Sequence, residues 1–201
     1  LYMVILYVPS ERVQGTVQRI FYFHVPSAWM AFLGFFVVAA SSTIFLWRGS
    51  RRADLLARAA AEVGMVFCSF VLLTGPIWAR PIWGVWWTWD PRLTMTLLLW
   101  LIYAAYVLLR NVAGDNETVA RYAAVLGIIG VIDIPIIYMS IRLWRGIHPR
   151  VEQMAPEMAV TLLVCAMAFA CLFSWFLWLR FYSLEIRDAV HSLQRHVITK
   201  D

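Results

Sequence analysis

Long uncharged runs organise the chain. Apolar residues continue without a charge from Val25 to Trp47, Val63 to Ala79, Leu93 to Leu109 and Met158 to Leu179. Each run approaches or exceeds the ~17 to 25 residues that a helix needs to cross a bilayer. A fifth run, Tyr122 to Ile141, is interrupted only by Asp133. Leu1 to Val8 is apolar but too short to cross alone, and with no initiator Met and no charged n-region it reads as the tail of a span cut off upstream. The pattern predicts an all-α membrane protein: a bundle of six transmembrane helices, the first truncated, in one domain over residues 1–201. No internal repeat, low-complexity segment or dividing linker is visible.

Composition removes the competing classes. Hydrophobic residues make up 62% of the 201 and charged residues only 14%, against about 25% charged in an ordinary globular domain. Mean hydropathy is +0.72. A soluble enzyme, a disordered chain and a disulfide scaffold are excluded. The isoelectric point near 9.4 would suggest nucleic acid in a soluble protein, but here the basic residues are scattered among short loops, so no nucleic-acid partner is expected. Cys68, Cys165 and Cys171 all fall inside apolar runs without a CxxC pattern, and read as buried, reduced core residues.

Of the 17 basic residues only Lys200 is a lysine. Loop parity sorts them. Arg48, Arg51, Arg52, Arg58, Arg110, Arg121, Arg180, Arg187, Arg195 and Lys200 share one side; Arg12, Arg19, Arg80, Arg92, Arg142, Arg145 and Arg150 share the other. Ten against seven puts the first set in the cytoplasm. Seven cations on the translocated side oppose that rule and point to a bound anion there, with lipid headgroups as the simpler alternative.

The third loop is rich in tryptophan. Trp78, Trp83, Trp86, Trp87 and Trp89 fall within twelve residues, more than an aromatic belt at a helix end explains. If Pro81 opens a short interfacial helix, Trp83, Trp86 and Trp87 share one face and form a flat aromatic platform. Asp90 precedes Pro91, which is the pattern of an N-cap before a helix start; direct ligand contact is the second reading. Arg92 then lies in the first turn, where the helix dipole disfavours a cation, so it should pair with Asp90 or with a bound carboxylate.

Two of the four histidines, His24 in Phe21-Tyr-Phe-His-Val-Pro26 and His148 in Trp144-Arg-Gly-Ile-His-Pro-Arg150, fall on the outer side; Pro26 is expected to open a span. His191 and His196 lie in the cytoplasmic tail and read as solvated. Zinc would need three or four ligands, and the outer loops offer no cysteine. A flat hydrophobic surface, two imidazoles and several guanidinium forks together describe a haem site: stacking for the macrocycle, axial nitrogens for iron, arginines for propionates. Asp133 is the one acid deep in a span, and two readings stand: a functional group on a ligand path or signalling route, or a hydrogen-bonded packing residue beside a Pro135 kink. Glu62, four residues after Arg58, should pair with it.

The segment Trp83-Gly-Val-Trp-Trp-Thr-Trp-Asp-Pro-Arg-Leu-Thr94 resembles the tryptophan-rich signature of haem-handling membrane proteins. Together with Tyr22-Phe-His-Val-Pro26, Ile134-Pro-Ile-Ile137 and His148, it resembles the haem exporter protein C family of cytochrome c maturation. The resemblance covers most of the chain, from about Arg19 to the last span. It implies a multi-pass protein of the bacterial inner membrane that holds non-covalent haem b at the periplasmic face, with His24 and His148 as axial ligands. Trp83, Trp86, Trp87, Trp89, Asp90, Arg80 and Arg92 are the expected cofactor-binding residues. The implied partners are a periplasmic haem chaperone, the membrane and ATPase subunits of an ABC transporter, a small membrane subunit, and the lipid bilayer. The chain departs from the family in its nearly absent first helix and in the short segment after His148.

No nucleophile and base constellation, phosphate loop or acid pair marks the outer loops, so a haem-presenting chaperone is expected rather than an enzyme. A haem lyase of the larger cytochrome c synthase type shares the tryptophan signature, but it would carry further helices and a second histidine pair within the membrane. A b-type cytochrome anchor would likewise place its histidines inside the bilayer.

Overall fold

The computed structural model describes residues 1–113, 116–144 and 154–198, without the side chains of 141–143 and 195–198. Six α-helices carry the described chain: α1 Phe21–Arg48, α2 Arg51–Trp83, α3 Pro91–Val112, α4 Glu117–Val131, α5 Asp133–Leu143 and α6 Pro156–Ile198. Because α4 and α5 follow one another across a single break, they make one crossing, and five helical segments are long and apolar enough to span a membrane. Among the described residues the first of the six expected spans is represented only by a π-type turn, Met3–Tyr7. Val4 within it and Val8 just after it are buried with Phe21 and Tyr22 against Met158, Leu162 and Cys165 of α6.

Several helix boundaries lie outside the apolar runs. A 3-10 turn, Thr16–Ile20, leads into α1. The helix therefore starts before His24, and Pro26 lies inside it rather than opening it. At the other end Gly49, at φ 65°, stops α1, and Ser50 Oγ caps α2 by accepting the Ala53 amide. The α2 helix then runs for 33 residues through Pro76 and Pro81. Each of those prolines deletes one amide donor, so the carbonyls of Leu72 and Ile77 lose their usual partners and the helix continues regardless. In the fourth crossing Pro135 does the same to Val131, and the Ile132 amide bonds instead to Ile129 and Gly130.

The antiparallel hairpin of α1 and α2 is the centre of the bundle; α6 packs on one side, and α3 and α4 on the other. Gly34 and Gly64 meet where α1 crosses α2. A Cβ placed on Gly34 would stand 3.0 Å from Gly64 Cα, and one on Gly64 only 2.9 Å from Phe35 Cε1. Only small residues allow backbones this close, and dispersion between closely packed helices replaces the hydrophobic drive that lipid cannot supply. Beside the crossing the ring of Phe35 stacks on Tyr103 at 3.7 Å, and the Tyr103 hydroxyl donates to the Gly127 carbonyl at 2.8 Å.

Charges gather at one end. Arg110 Nη2 donates to Asp54 Oδ2 at 2.8 Å, with side-chain exposures of 0% and 2%. Arg51 joins Asp54 to Asp188 on α6 at 2.8 and 2.6 Å, and Arg52 reaches Glu185 at 2.7 Å. Glu62 accepts from Arg58 at 3.3 Å, the expected local pair, and also from Arg180. These contacts bring the start of α2, the end of α3 and the tail of α6 together, as loop parity requires.

Asp133 is buried at the first position of α5, and its Oδ2 makes no hydrogen bond among the described residues. The burial that both readings expect is present; the hydrogen bond that the packing reading expects is not found at Oδ2 among the described residues. Cys68 is buried as expected, but Cys165 is only half-buried and Cys171 is exposed on the outside of α6, where period 3.6 turns it away from the core. All three are free thiols.

Candidate functional site

At the end opposite the charges, α1 and α2 hold a histidine between polar and aromatic side chains. His24 sits in the first turns of α1, half-buried, with its Nδ1 2.8 Å from Thr74 Oγ1 on α2. The Trp78 ring stands edge-on to the imidazole at 5.7 Å, and edge-on to Phe21 at 6.1 Å. Trp78 itself is fixed by donating Nε1–H to Gln14 Oε1 at 3.1 Å. Glu11 closes the turn that presents Gln14: its carboxylate accepts the amides of Gln14 at 2.6 Å and Val13 at 2.8 Å. Those bonds, the Gln14 amide foremost, hold its pKa below the ordinary carboxylate value.

The tryptophan-rich loop differs from its predicted form. Because α2 continues through Pro81, Trp83 is its last residue, and Gly84 at φ 76° ends it with its amide on the Arg80 carbonyl. Trp86 and Trp87 follow in non-helical chain. No short helix aligns Trp83, Trp86 and Trp87, because a left-handed glycine is a stop signal stronger than the proline's start. Trp87 is half-buried and packs edge-on against Trp89 at 5.9 Å and 81°, so the rings form a corner rather than a flat sheet. Trp86 and Trp89 are the outward pair, 58% and 75% exposed. Arg80 is occupied locally: its Nη1 donates to the Gly84 carbonyl and so braces the helix end.

Asp90 is the cap that its position before Pro91 predicts. Its Oδ1 accepts the Arg92 amide at 3.0 Å, and its own carbonyl receives both the amide and the hydroxyl of Thr94. Arg92 therefore meets Asp90 through its backbone, and its guanidinium forms no ion pair within 4.0 Å among the described residues. It lies instead within electrostatic reach of His24, Asp90 and Tyr138. Arg19, just before α1, buries Nε without a hydrogen-bond partner among the described residues.

The structure thus brings His24 and Arg92 together at one end, with Trp83, Trp86, Trp87, Trp89, Asp90 and Arg80 on the helix end and loop that join α2 to α3. His148, with Arg145 and Arg150, lies outside the described residues, as does the side chain of Arg142. His191 is exposed on α6, in keeping with the solvated reading; the His196 side chain is outside the described set. Sequence reasoning did not assign Thr74, 50 residues from the histidine it touches, nor single out Trp78 among the five tryptophans as the one against His24.

The sequence profile described as "Heme exporter protein C" matches residues 1–196. Among curated proteins, the chain is 38% identical to heme exporter protein C of Bradyrhizobium diazoefficiens over 173 residues, which is 82% of this chain and 65% of that protein. It is 34% identical to the protein of that name in Haemophilus influenzae over 189 residues, 90% of this chain and 76% of that one. Against the Escherichia coli K12 protein the identity is 36% over 142 residues, 71% and 58% of the two chains. The chain thus spans somewhat under two thirds of the length of two of these relatives. With the profile running through every described helix and the signature loop in place, the chain belongs to the heme exporter protein C family.

Proposed function

We propose that this protein binds non-covalent haem b at the periplasmic face of the bacterial inner membrane and presents it to a periplasmic haem chaperone for cytochrome c maturation. In this reading His24 and His148 are the axial ligands. Trp83, Trp86, Trp87 and Trp89 provide aromatic surface at the rim; Arg92 serves the propionates, as does Arg80 through the guanidinium nitrogens other than the Nη1 that braces the helix end, with Asp90 shaping the turn that carries Arg92. The membrane and ATPase subunits of an ABC transporter and a small membrane subunit are its working partners.

The observation that carries the reading is the company of His24: an imidazole held in place by Thr74 and Trp78, with the Arg92 guanidinium within electrostatic reach and in no ion pair within 4.0 Å among the described residues. Bound haem would supply an iron with two open axial positions and two carboxylates. The donors fit, since a neutral imidazole nitrogen suits iron and a guanidinium fork suits a carboxylate. The exposed rings of Trp86 and Trp89 leave the cargo an apolar edge accessible from outside, as a handover to another protein requires.

Trp86→Ala and Trp89→Ala should reduce covalent haem on the co-expressed chaperone several-fold at normal membrane level of this protein, while Trp→Phe should be mild; stacking contributes about 0.5 to 1.5 kcal/mol per ring beyond area. Equal loading by both Ala variants would remove the rim from the handover.

Sidedness is tested separately. Cysteines at Val13 and Val85 in a background lacking native cysteine should react with an impermeant thiol reagent in intact cells, and one at Ala113 should not. These exposed positions avoid Gly15, Gly49 and Gly84, whose positive φ makes substitution strained. The reverse labelling pattern would put the His24 end in the cytoplasm.

A further inference from the structure

His24 is bonded on one side of its ring only. Nδ1 lies 2.8 Å from Thr74 Oγ1, and Nε2 makes no hydrogen bond among the described residues. The Thr74 hydroxyl has a second commitment: Oγ1 is 2.8 Å from the Phe70 carbonyl, one turn earlier on α2. A carbonyl oxygen can only accept, and a hydroxyl carries a single proton. That proton therefore lies on the Phe70 side, and the Thr74 oxygen turns a lone pair toward the imidazole. For the 2.8 Å contact to be a hydrogen bond, Nδ1 must carry the hydrogen. In neutral histidine this leaves Nε2 bare, with its lone pair free to bind a ligand.

We infer that Thr74 is a positioning residue that fixes His24 in the Nδ1–H tautomer and so makes Nε2 the iron-binding nitrogen. The inference rests on the reading of His24 as an axial ligand. The rest of the pocket reinforces the choice. A Cβ on Gly75 would stand 3.5 Å from His24 Cε1, so the ring edge already lies along the α2 backbone. Trp78 blocks another direction at 5.7 Å. Flipping the ring would bring a carbon to Thr74 Oγ1 and forfeit the bond. The chain Nδ1–H to Oγ1–H to carbonyl also polarises in one sense, which makes Nε2 the stronger donor. Thr74 does not touch the cargo; it acts only through His24.

The test uses Thr74→Val, which keeps the branched shape and loses the hydroxyl, and Thr74→Ser, which keeps the hydroxyl. In the haem-free protein, nitrogen NMR of labelled histidine should show a pyrrole-type Nδ1 and a pyridine-type Nε2 for the resonance that His24→Ala removes. The serine variant should keep this pattern, and the valine variant should lose it. In the haem-loaded protein Thr74→Val should lower haem affinity about 10- to 100-fold and shift the reduction potential, and Thr74→Ser should restore both. An unchanged tautomer and affinity in Thr74→Val, with haem binding still lost in His24→Ala, would overturn the role of Thr74 and leave the axial assignment standing. A haem spectrum indifferent to His24→Ala would overturn both.

Discussion

Replacing His24 by alanine is expected to lower the haem retained through purification by tenfold or more, and to leave an iron that added imidazole can ligate. Losing one strong axial bond easily exceeds the ~1.4 kcal/mol that corresponds to a factor of ten, and among the described residues nothing else near the site can take its place. Thr74 is a hydroxyl, Trp78 is a donor only, and Arg92 is a permanent cation. His148→Ala should give the same open coordination from the other face, and His191→Ala, on the exposed tail of α6, should leave the spectrum unchanged. The measurement is the absorption spectrum of each purified variant per mole of protein, before and after imidazole. Intact bis-imidazole bands in His24→Ala would end the axial assignment.

The largest stability effect is expected at the opposite end. Asp54→Ala should destabilise the bundle by about 3 to 5 kcal/mol, because it leaves Arg110, 0% exposed, buried against a vanished counter-charge. It also frees Arg51 from one of the carboxylates that it meets among the described residues. The double variant Asp54→Leu/Arg110→Met should recover most of the loss, since matched apolar side chains remove both desolvation costs together. Thermal or denaturant unfolding in a fixed detergent gives the comparison. A double variant as unstable as Asp54→Ala would mean that Arg110 has a further carboxylate to satisfy.

The crossings were legible because lipid demands long uncharged runs; four of the five runs lie inside a single helix and the fifth spans α4 and α5. Helix ends were not, because hydropathy reports the solvent around a residue and not its backbone. Arg51 to Glu62 carries five charges and falls outside the apolar runs, yet alanine and arginine are good helix formers, and α6 holds that segment through ion pairs that no local pattern announces. The α6 helix likewise runs to Ile198, far past the last apolar residue of its run.

The site was legible in part for the same reason. Asp90 capping α3 is a local signal and was read directly. The platform of Trp83, Trp86 and Trp87 required a helix beginning at Pro81, but the chain there was already helical and Gly84 ended it. Thr74 left no trace because a hydrogen bond across 50 residues exists only once α1 and α2 have paired.

The two ends of the bundle are fastened by different forces. At the Asp54 end, carboxylates and guanidinium groups tie α2, α3 and α6 into one root, so that several ion pairs must break together before the helices separate. At the His24 end, among the described residues, the helices are joined by rings, aliphatic contacts and a few single hydrogen bonds such as His24 to Thr74 and Trp78 to Gln14. Such contacts can be parted and remade one at a time. The bundle therefore resembles tweezers welded at the base: its tips can spread sideways by small steps while the weld keeps the arms in register. A rigid plate could then slide in or out edgewise, and a global unfolding measurement, which reports on the weld, would register almost none of that movement.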